Sequence, residues 1–222
     1  MAGKTRQLVC ASIWACAMLA GQPLIAGDTA PADSLSSVCR SHDAQRGAET
    51  MALALLKTPV MQQAKAEAAR QWLAQWGPVS DEAMMEFPRA LDELVFNAAL
   101  KTVVNAAPPP AMAMMINRPQ RTGAGEVPGT RYGWDNTDNI YGNIPVNPAA
   151  TYRISGVMPA NGTNLNLSVW SDDMVVLGNL ARSDIRTDAK GRFSLTVGAQ
   201  DGADIRLSPG AHHIMVRETL PD

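Results

Sequence analysis

The sequence predicts an α+β protein, with an N-terminal helical segment followed by an antiparallel β-sandwich or jelly-roll-like domain. Three observations carry this. Ala, Leu, Met, Gln, Glu and Lys dominate from Ser34 to Asn105, and these residues lose little freedom on entering a helix. Ala107-Pro108-Pro109-Pro110 cannot continue a helix. From Asn139 onwards apolar and polar residues alternate, the period of two of a half-buried strand. The expected organisation is a signal peptide over 1–26, a helical region over 27–106, a linker or extended lead-in over 107–133, and a β domain over 134–222.

Composition sets the outer limits. A chain of 222 residues, 46% hydrophobic and 18% charged, has enough apolar material for a substantial core. The formal charge of −2 offers no basic surface to hold a nucleic-acid backbone.

The first 26 residues have the layout of a secretory signal. Lys4 and Arg6 precede an uncharged run from Leu8 to Ala20, and Gly21, Gln22 and Pro23 break it before Leu24-Ile25-Ala26. That run is shorter than the roughly 18 to 20 residues of a spanning helix, so no stable membrane span is expected after cleavage. Cleavage is expected after Ala26, with Ala32 as a second site. An exported protein, periplasmic or extracellular, follows. Cys10 and Cys16 leave with the signal, so Cys39 remains alone and without an intramolecular partner. Of an inert, a free and an interchain-paired thiol, the buried and inert one is favoured.

Within the helical region, Thr58-Pro59 reads as an N-cap followed by proline at the first helical position. The helix it opens is expected to reach Trp76 and stop at Gly77-Pro78. Ser80 with Asp81 and Glu82 starts the next helix, the acids meeting the positive end of its dipole. Pro88 either kinks that helix or opens another reaching Asn105. Leu91, Leu94, Val95, Ala98 and Ala99 recur at helical spacing, as do Leu73 and Trp76 with Ala69 and Trp72 nearby. Both stripes are expected to pack in a core. Met84, Met85, Met112, Met114 and Met115 are expected to fill gaps.

In the β region Tyr152 and Ile154, then Leu165, Leu167 and Val169, then Phe193, Leu195 and Val197 each alternate with polar neighbours. Ile205 to Leu207 and His212 to Thr219 supply further strands, and Met112 to Ile116 a short extended segment. Asp188-Ala189-Lys190-Gly191 is expected to close a hairpin between Ile185 and Phe193.

The run RYGWDNTDNIYGNIPVNPAATYRISG, an LSVW strand, the DAKGRFSLTVG hairpin and LSPGAHHIMVRETLPD follow one another in this order. Together they resemble the bacterial family known as domain of unknown function 1214, over roughly residues 112 to 222. The resemblance implies a jelly-roll-like domain and no particular chemistry. Members of that family usually continue past the Leu-Pro-Asp position into a further strand-rich segment, whereas this sequence ends at Asp222. The expectation is either a short variant of that domain or one whose final strands are missing.

Arg131 to Tyr141 concentrates two tyrosines, a tryptophan, two Asp and two Asn in eleven residues. Tyr132, Trp134 and Tyr141, with Trp170, are the candidate ligand-binding aromatics, able to stack on a sugar ring or an apolar ligand or to anchor the loop on the sheet. Asp135-Asn136-Thr137-Asp138-Asn139 is rich in oxygen ligands, but Ile140 and Val146 stand where an EF-hand needs Gly and Glu, so these oxygens are expected to cap their own backbone. No metal site and no cofactor are expected. His212 and His213 are neighbours on a strand, and alternation should send their rings to opposite faces, with His213 and Arg217 sharing one. Asp172 and Asp173 form an acidic pair at a strand end, able to meet Arg153 or Arg217. No Gly-x-Ser-x-Gly elbow, His-Glu-x-x-His, phosphate loop or Cys-x-x-Cys occurs. The favoured reading is an exported binding or interaction domain for a glycan or a hydrophobic small molecule. The other is a hydrolase of non-standard type using Asp135, Asp138 or Asp173 as acid or base, with His213 or Arg217 stabilising charge.

Overall fold

The computed structural model describes residues 36–38, 42–77, 80–107, 112–115, 118–131, 136, 138–158 and 164–219. The signal region 1–26, Cys39, Tyr132, Trp134 and Asp135 lie outside the described residues. Helices precede a mostly antiparallel set of sheets, the α+β architecture that the sequence predicts. The chain divides into two compact units. The described residues within Arg46–Val103 and Asn117–Gly133 form one, and those within Thr29–Gln45, Val104–Ile116 and Trp134–Asp222 form the other.

The helical unit follows its local signals closely. Helix α1 (His42–Leu56) ends two residues before Thr58 and its cap. Thr58 caps α2 (Pro59–Trp76), its hydroxyl accepting from the Met61 N–H at 3.4 Å and donating to the Leu55 carbonyl at 2.7 Å. Gly77, at φ +68°, ends α2 in a conformation that suits glycine. Ser80 accepts from the Ala83 N–H at 3.2 Å and opens α3 (Asp81–Ala106).

Pro88 neither ends nor restarts that helix; α3 is continuous through it. The proline removes one backbone bond, and the side chains beside it are paired. Arg89 donates back to Glu86 at 2.9 Å and forward to Glu93 at 2.7 Å, and Phe87 stacks on Trp72 with centroids 4.7 Å apart. Glu86, and then Glu93, raise the Arg89 pKa above its ordinary value.

Two expectations about apolar packing need correction. Leu73 and Trp76 are exposed, not core. Trp72 takes the aromatic partner, so Leu73, about 100° further round the helix, faces water, and Trp76 lies in the final turn. Met85 is exposed too and fills no gap.

On α3, Leu91, Val95 and Ala99 are buried as expected, and so are Phe96 and Leu100. The same helix buries Glu93, Asn97 and Lys101 at four-residue spacing, one above another on a single face. Glu93, 1% exposed, receives Arg89 on one carboxylate oxygen and Arg131 on the other, from Nε at 2.9 Å and Nη2 at 2.7 Å. Asn97 donates to the Arg131 carbonyl at 2.9 Å, which ties the segment after a small hairpin of β3 (Gln120–Thr122) and β4 (Gly125–Val127) to the helix.

The second unit is a β-sandwich. One sheet has the order β1-β6-β9-β10 and the other β2-β5-β11-β7-β8. The strands are β1 (Ser36–Val38), β2 (Ala113–Met115), β5 (Asn139–Pro145), β6 (Tyr152–Val157), β7 (Asn164–Ser171), β8 (Val176–Ala181), β9 (Arg192–Gly198), β10 (Ile205–Arg206) and β11 (Ala211–Thr219). Tyr152, Ile154, Leu195, Val197 and Ile205 from the first sheet share one core with Ile144, Leu165, Leu167, Val169 and Ile214 from the second. These are the inward positions of the alternation, and their burial is the main drive to close the sheets.

The pairing departs from the sequence reading in three places. Ser36–Val38, expected to be helical, is a strand lying parallel to β6 and satisfying its outer backbone groups. β9 and β10 are likewise parallel, so the sandwich is not wholly antiparallel. The Asp188–Gly191 turn forms, with the Asp188 carboxylate accepting from the Lys190 and Arg192 N–H groups at 2.8 and 2.9 Å, but it does not join Ile185 to Phe193 as a hairpin. β9 pairs with β6. The chain must cross from β8 in one sheet to β9 in the other, and a 3₁₀ turn (Arg182–Asp184) makes the crossing while Ile185 drops into the core.

Replacing Glu93 by Gln should lower the unfolding free energy by about 1–3 kcal/mol, since it leaves the two guanidinium groups without a buried anion. A denaturant melt checks this; an unchanged midpoint would show that the ion cluster contributes nothing. Met174, in the β7–β8 turn, is the one non-glycine residue of positive φ (+64°) among the described residues. Met174→Gly should be neutral or stabilising, and Met174→Val should cost about 1 kcal/mol or more, because a β-branched side chain is poorly tolerated in the left-handed region.

Candidate functional site

Strand β11 runs through the middle of the five-stranded sheet, paired with β5 on one side and β7 on the other. Because side chains alternate, one face of β11 carries Ile214 into the sandwich core and the other presents His213, Met215, Arg217 and Thr219. Across the ladders the same face presents Trp170, Ser168 and Asn166 from β7 and Asn143, Tyr141 and Asn139 from β5. A sandwich sheet turns its non-core face outward and polar. This face is polar, yet much of it is withdrawn from water: His213, Asn143, Ser168, Met215 and Tyr141 are all buried. The burial relaxes towards the end of β11, where Arg217 and Thr219 are only partly buried.

Tyr141 and Arg217 organise that end. The Arg217 guanidinium carbon sits 5.7 Å from the centre of the Tyr141 ring, a cation–π arrangement. The Tyr141 hydroxyl accepts from the Asn136 N–H at 2.9 Å and from the Asn139 side-chain amide at 3.1 Å. Tyr141 therefore anchors the preceding loop on the sheet. Asn136 in turn accepts from the Asp138 N–H at 3.0 Å, so this part of the acidic loop caps its own backbone as expected. Two donor atoms of this face, Trp170 Nε1 and Arg217 Nε, are buried without a hydrogen-bond partner, and so is one acceptor, Asn139 Oδ1. Such atoms are uncommon in folded proteins, and each invites a ligand or a bound water.

At the other end the histidines behave differently from a regular strand. The register of β11 shifts between Ala211 and His213, so a bulge interrupts alternation at His212. The rings do not part to opposite faces: they meet edge to face with centroids 5.5 Å apart and Nδ1 to Nδ1 at 3.3 Å. His213 lies nearly parallel to Trp170, centroids 6.4 Å apart. Asp172 approaches His212 Nε2 at 3.8 Å, and the Asn105 amide lies at 3.5 Å from the same nitrogen. Asp172 thus meets a histidine, not Arg153 or Arg217. Asp173 is held by the Ser171 hydroxyl in the β7–β8 turn and is exposed.

The two described acidic candidates, Asp138 and Asp173, do not converge. Ala211 pairs with Ser171, near Asp173, whereas Thr219 pairs with Asn139, beside Asp138. Eight residues of strand separate these positions, roughly 26 Å at about 3.3 Å per residue. A pair of carboxylates working on one glycosidic bond stands about 5–10 Å apart. His213 and Arg217 do share a face, as expected, about 13 Å apart along the strand. Among the described residues no group of three or more His, Cys, Asp or Glu side chains is placed to hold a metal ion, and no helix is long and apolar enough to cross a membrane.

The sequence reading missed the buried ion cluster of Glu93, Arg89 and Arg131. Its only local signal is Arg89 and Glu93 at four-residue spacing, which ordinarily marks a solvated helix face.

No family model matches the chain, and no curated protein matches it. Among solved structures it is similar to an uncharacterized protein from Burkholderia cenocepacia, with a TM-score of 0.51 and 21% sequence identity. The match covers 65% of this chain and 40% of that one, so this chain spans less than half the length of that protein. A likeness at this identity shows the fold and leaves the chemistry to the site.

Proposed function

We propose that this chain is an exported binding module, related to the domain of unknown function 1214 family, whose β-sandwich holds a glycan or a hydrophobic small molecule on the non-core face of its five-stranded sheet. The single observation that carries the reading is the composition of that face. Tyr141, Trp170 and His213 bring rings to it, Arg217, Asn139 and Asn166 bring polar groups, and two buried donors lack a protein acceptor. Rings for stacking beside a few directed polar groups are what small-molecule and sugar sites require. The distance between Asp138 and Asp173 favours binding over hydrolysis. Tyr132 and Trp134, the remaining aromatic candidates, lie next in sequence to Arg131 and extend the same proposal to the preceding loop.

The test is a binding screen of the purified mature chain against neutral glycans, acidic glycans and small apolar molecules, read by calorimetry. Saturable binding of one class is expected. Trp170→Phe, which keeps a ring and removes the indole donor, should weaken it about tenfold, the worth of one directed hydrogen bond. Failure of every class to bind would overturn the proposal, and equal binding by the variant would remove Trp170 from the site.

Export rests on the N-terminal pattern: a basic start, an uncharged run and small residues before Gly27. Amino-terminal sequencing of the protein recovered outside the cytoplasm should begin at Gly27, or at Asp33 if the second site is used. An intact Met1 would sink this part of the reading.

A further inference from the structure

We infer that the Arg217 end of this sheet face takes a carboxylate carried beside a hydroxyl group, as in a uronic acid or a small hydroxy acid; this deepens the binding reading above and rests on it. Four other arginines have carboxylate partners within the chain. Arg89 and Arg131 share the buried Glu93, Arg70 pairs with Glu67, and Arg206 lies 3.5 Å from Asp201. Arg217 is partly buried and has no carboxylate partner among the described residues. Its neighbour Glu218 points to the opposite face by alternation. Asp138, at the same end of the sheet, is exposed.

A guanidinium withdrawn from water with a buried Nε–H unmet is an unfavourable arrangement unless something outside the chain completes it. The Tyr141 ring takes one face of the group, and a guanidinium offers a ligand its N–H donors in the plane of the fork. That fork matches a carboxylate in the bidentate, planar manner that a lysine cannot reproduce.

The hydroxyl follows from Asn139. Its amide nitrogen donates to the Tyr141 hydroxyl, which fixes the orientation of the side chain, and the other atom, Oδ1, is a buried acceptor without a donor. Asn139 and Arg217 thus flank one tyrosine, the first asking for a donor and the second for an anion. A carboxylate next to a hydroxyl offers both. Free hydroxy acids and the uronate units of acidic glycans share this chemistry.

The experiment titrates wild type, Arg217→Lys and Arg217→Gln with galacturonate, a galacturonate oligomer, a neutral oligosaccharide of equal length, and butyrate, a carboxylate without a hydroxyl. Circular dichroism confirms that each variant is folded. Wild type should bind galacturonate or its oligomer, prefer it to the neutral glycan and to butyrate by about tenfold or more, and lose affinity as salt rises. Arg217→Lys should lose about tenfold although it keeps the charge, and Arg217→Gln more. Equal binding of monomer and oligomer would point to a free acid as the source, and binding of the oligomer alone to a glycan. Neutral and acidic glycans bound equally, or wild-type affinity in Arg217→Lys, would overturn this inference while leaving the binding module standing. No binding to any sugar or acid, with an apolar ligand still bound in the broader screen, would overturn it as well. Silence in both experiments would end both readings.

Discussion

The two-sided ladder of β11 is the constraint on which the rest of the β unit depends. Its backbone is paired with β5 and β7 along nearly its whole length, so slipping it by one residue would exchange its two faces. Ile214 would leave the core, and His213 and Arg217 would enter it. Core packing and site composition are thus two consequences of one register. The bulge at His212 is the one place where the ladder relaxes, and it lies at the opposite end from Arg217.

How much of this was readable depends on the range of the interaction. Thr58-Pro59 and Ser80 mark helix starts because a cap acts within one turn, and Leu165, Leu167 and Val169 show their inward face because alternation is local. The strand Val176–Ala181 has no such pattern; it sits at the edge of its sheet, where neither face is fully buried. The partnership of Glu93 with Arg131 spans 38 residues of sequence. A glutamate on an exposed helix face and one buried against a distant loop look the same in the sequence. The candidate site was legible in part for the same reason. That His213 and Arg217 share a face follows from strand periodicity, but the bulge that brings His212 back to His213 does not. Nor does the sequence show that Tyr141 serves as loop anchor and floor for a cation at once.

Glu93 and Arg217 show two ways of handling charge withdrawn from water. Glu93 is almost wholly buried and held by two arginines, Arg89 four residues earlier on the same helix and Arg131 from another segment. Removing either partner leaves a charge that has lost its solvation, which is why such clusters hold their segments in one arrangement even where their net stabilisation is small. Arg217 has an aromatic ring and no anion. A tyrosine face offsets part of the lost hydration, roughly 0.5–2 kcal/mol, and leaves the directed N–H groups unmet.

The same tyrosine connects the site to the loop before it. Were Tyr141 only a stacking surface, its hydroxyl would be free to turn to solvent or to ligand. Instead the hydroxyl holds Asn136 and Asn139, so the position of the loop and the position of the ring are set together. Ligand contact with the Arg217 edge would then be felt at Asn136 through a tyrosine that has nowhere else to go. Pre-positioning of this kind lowers the ordering cost of binding, and it explains why an anchoring role and a binding role for Tyr141 need not compete. Asn136 and Asn139 of the polar loop and the arginine 76 positions after that tyrosine belong to one arrangement, joined through a single ring.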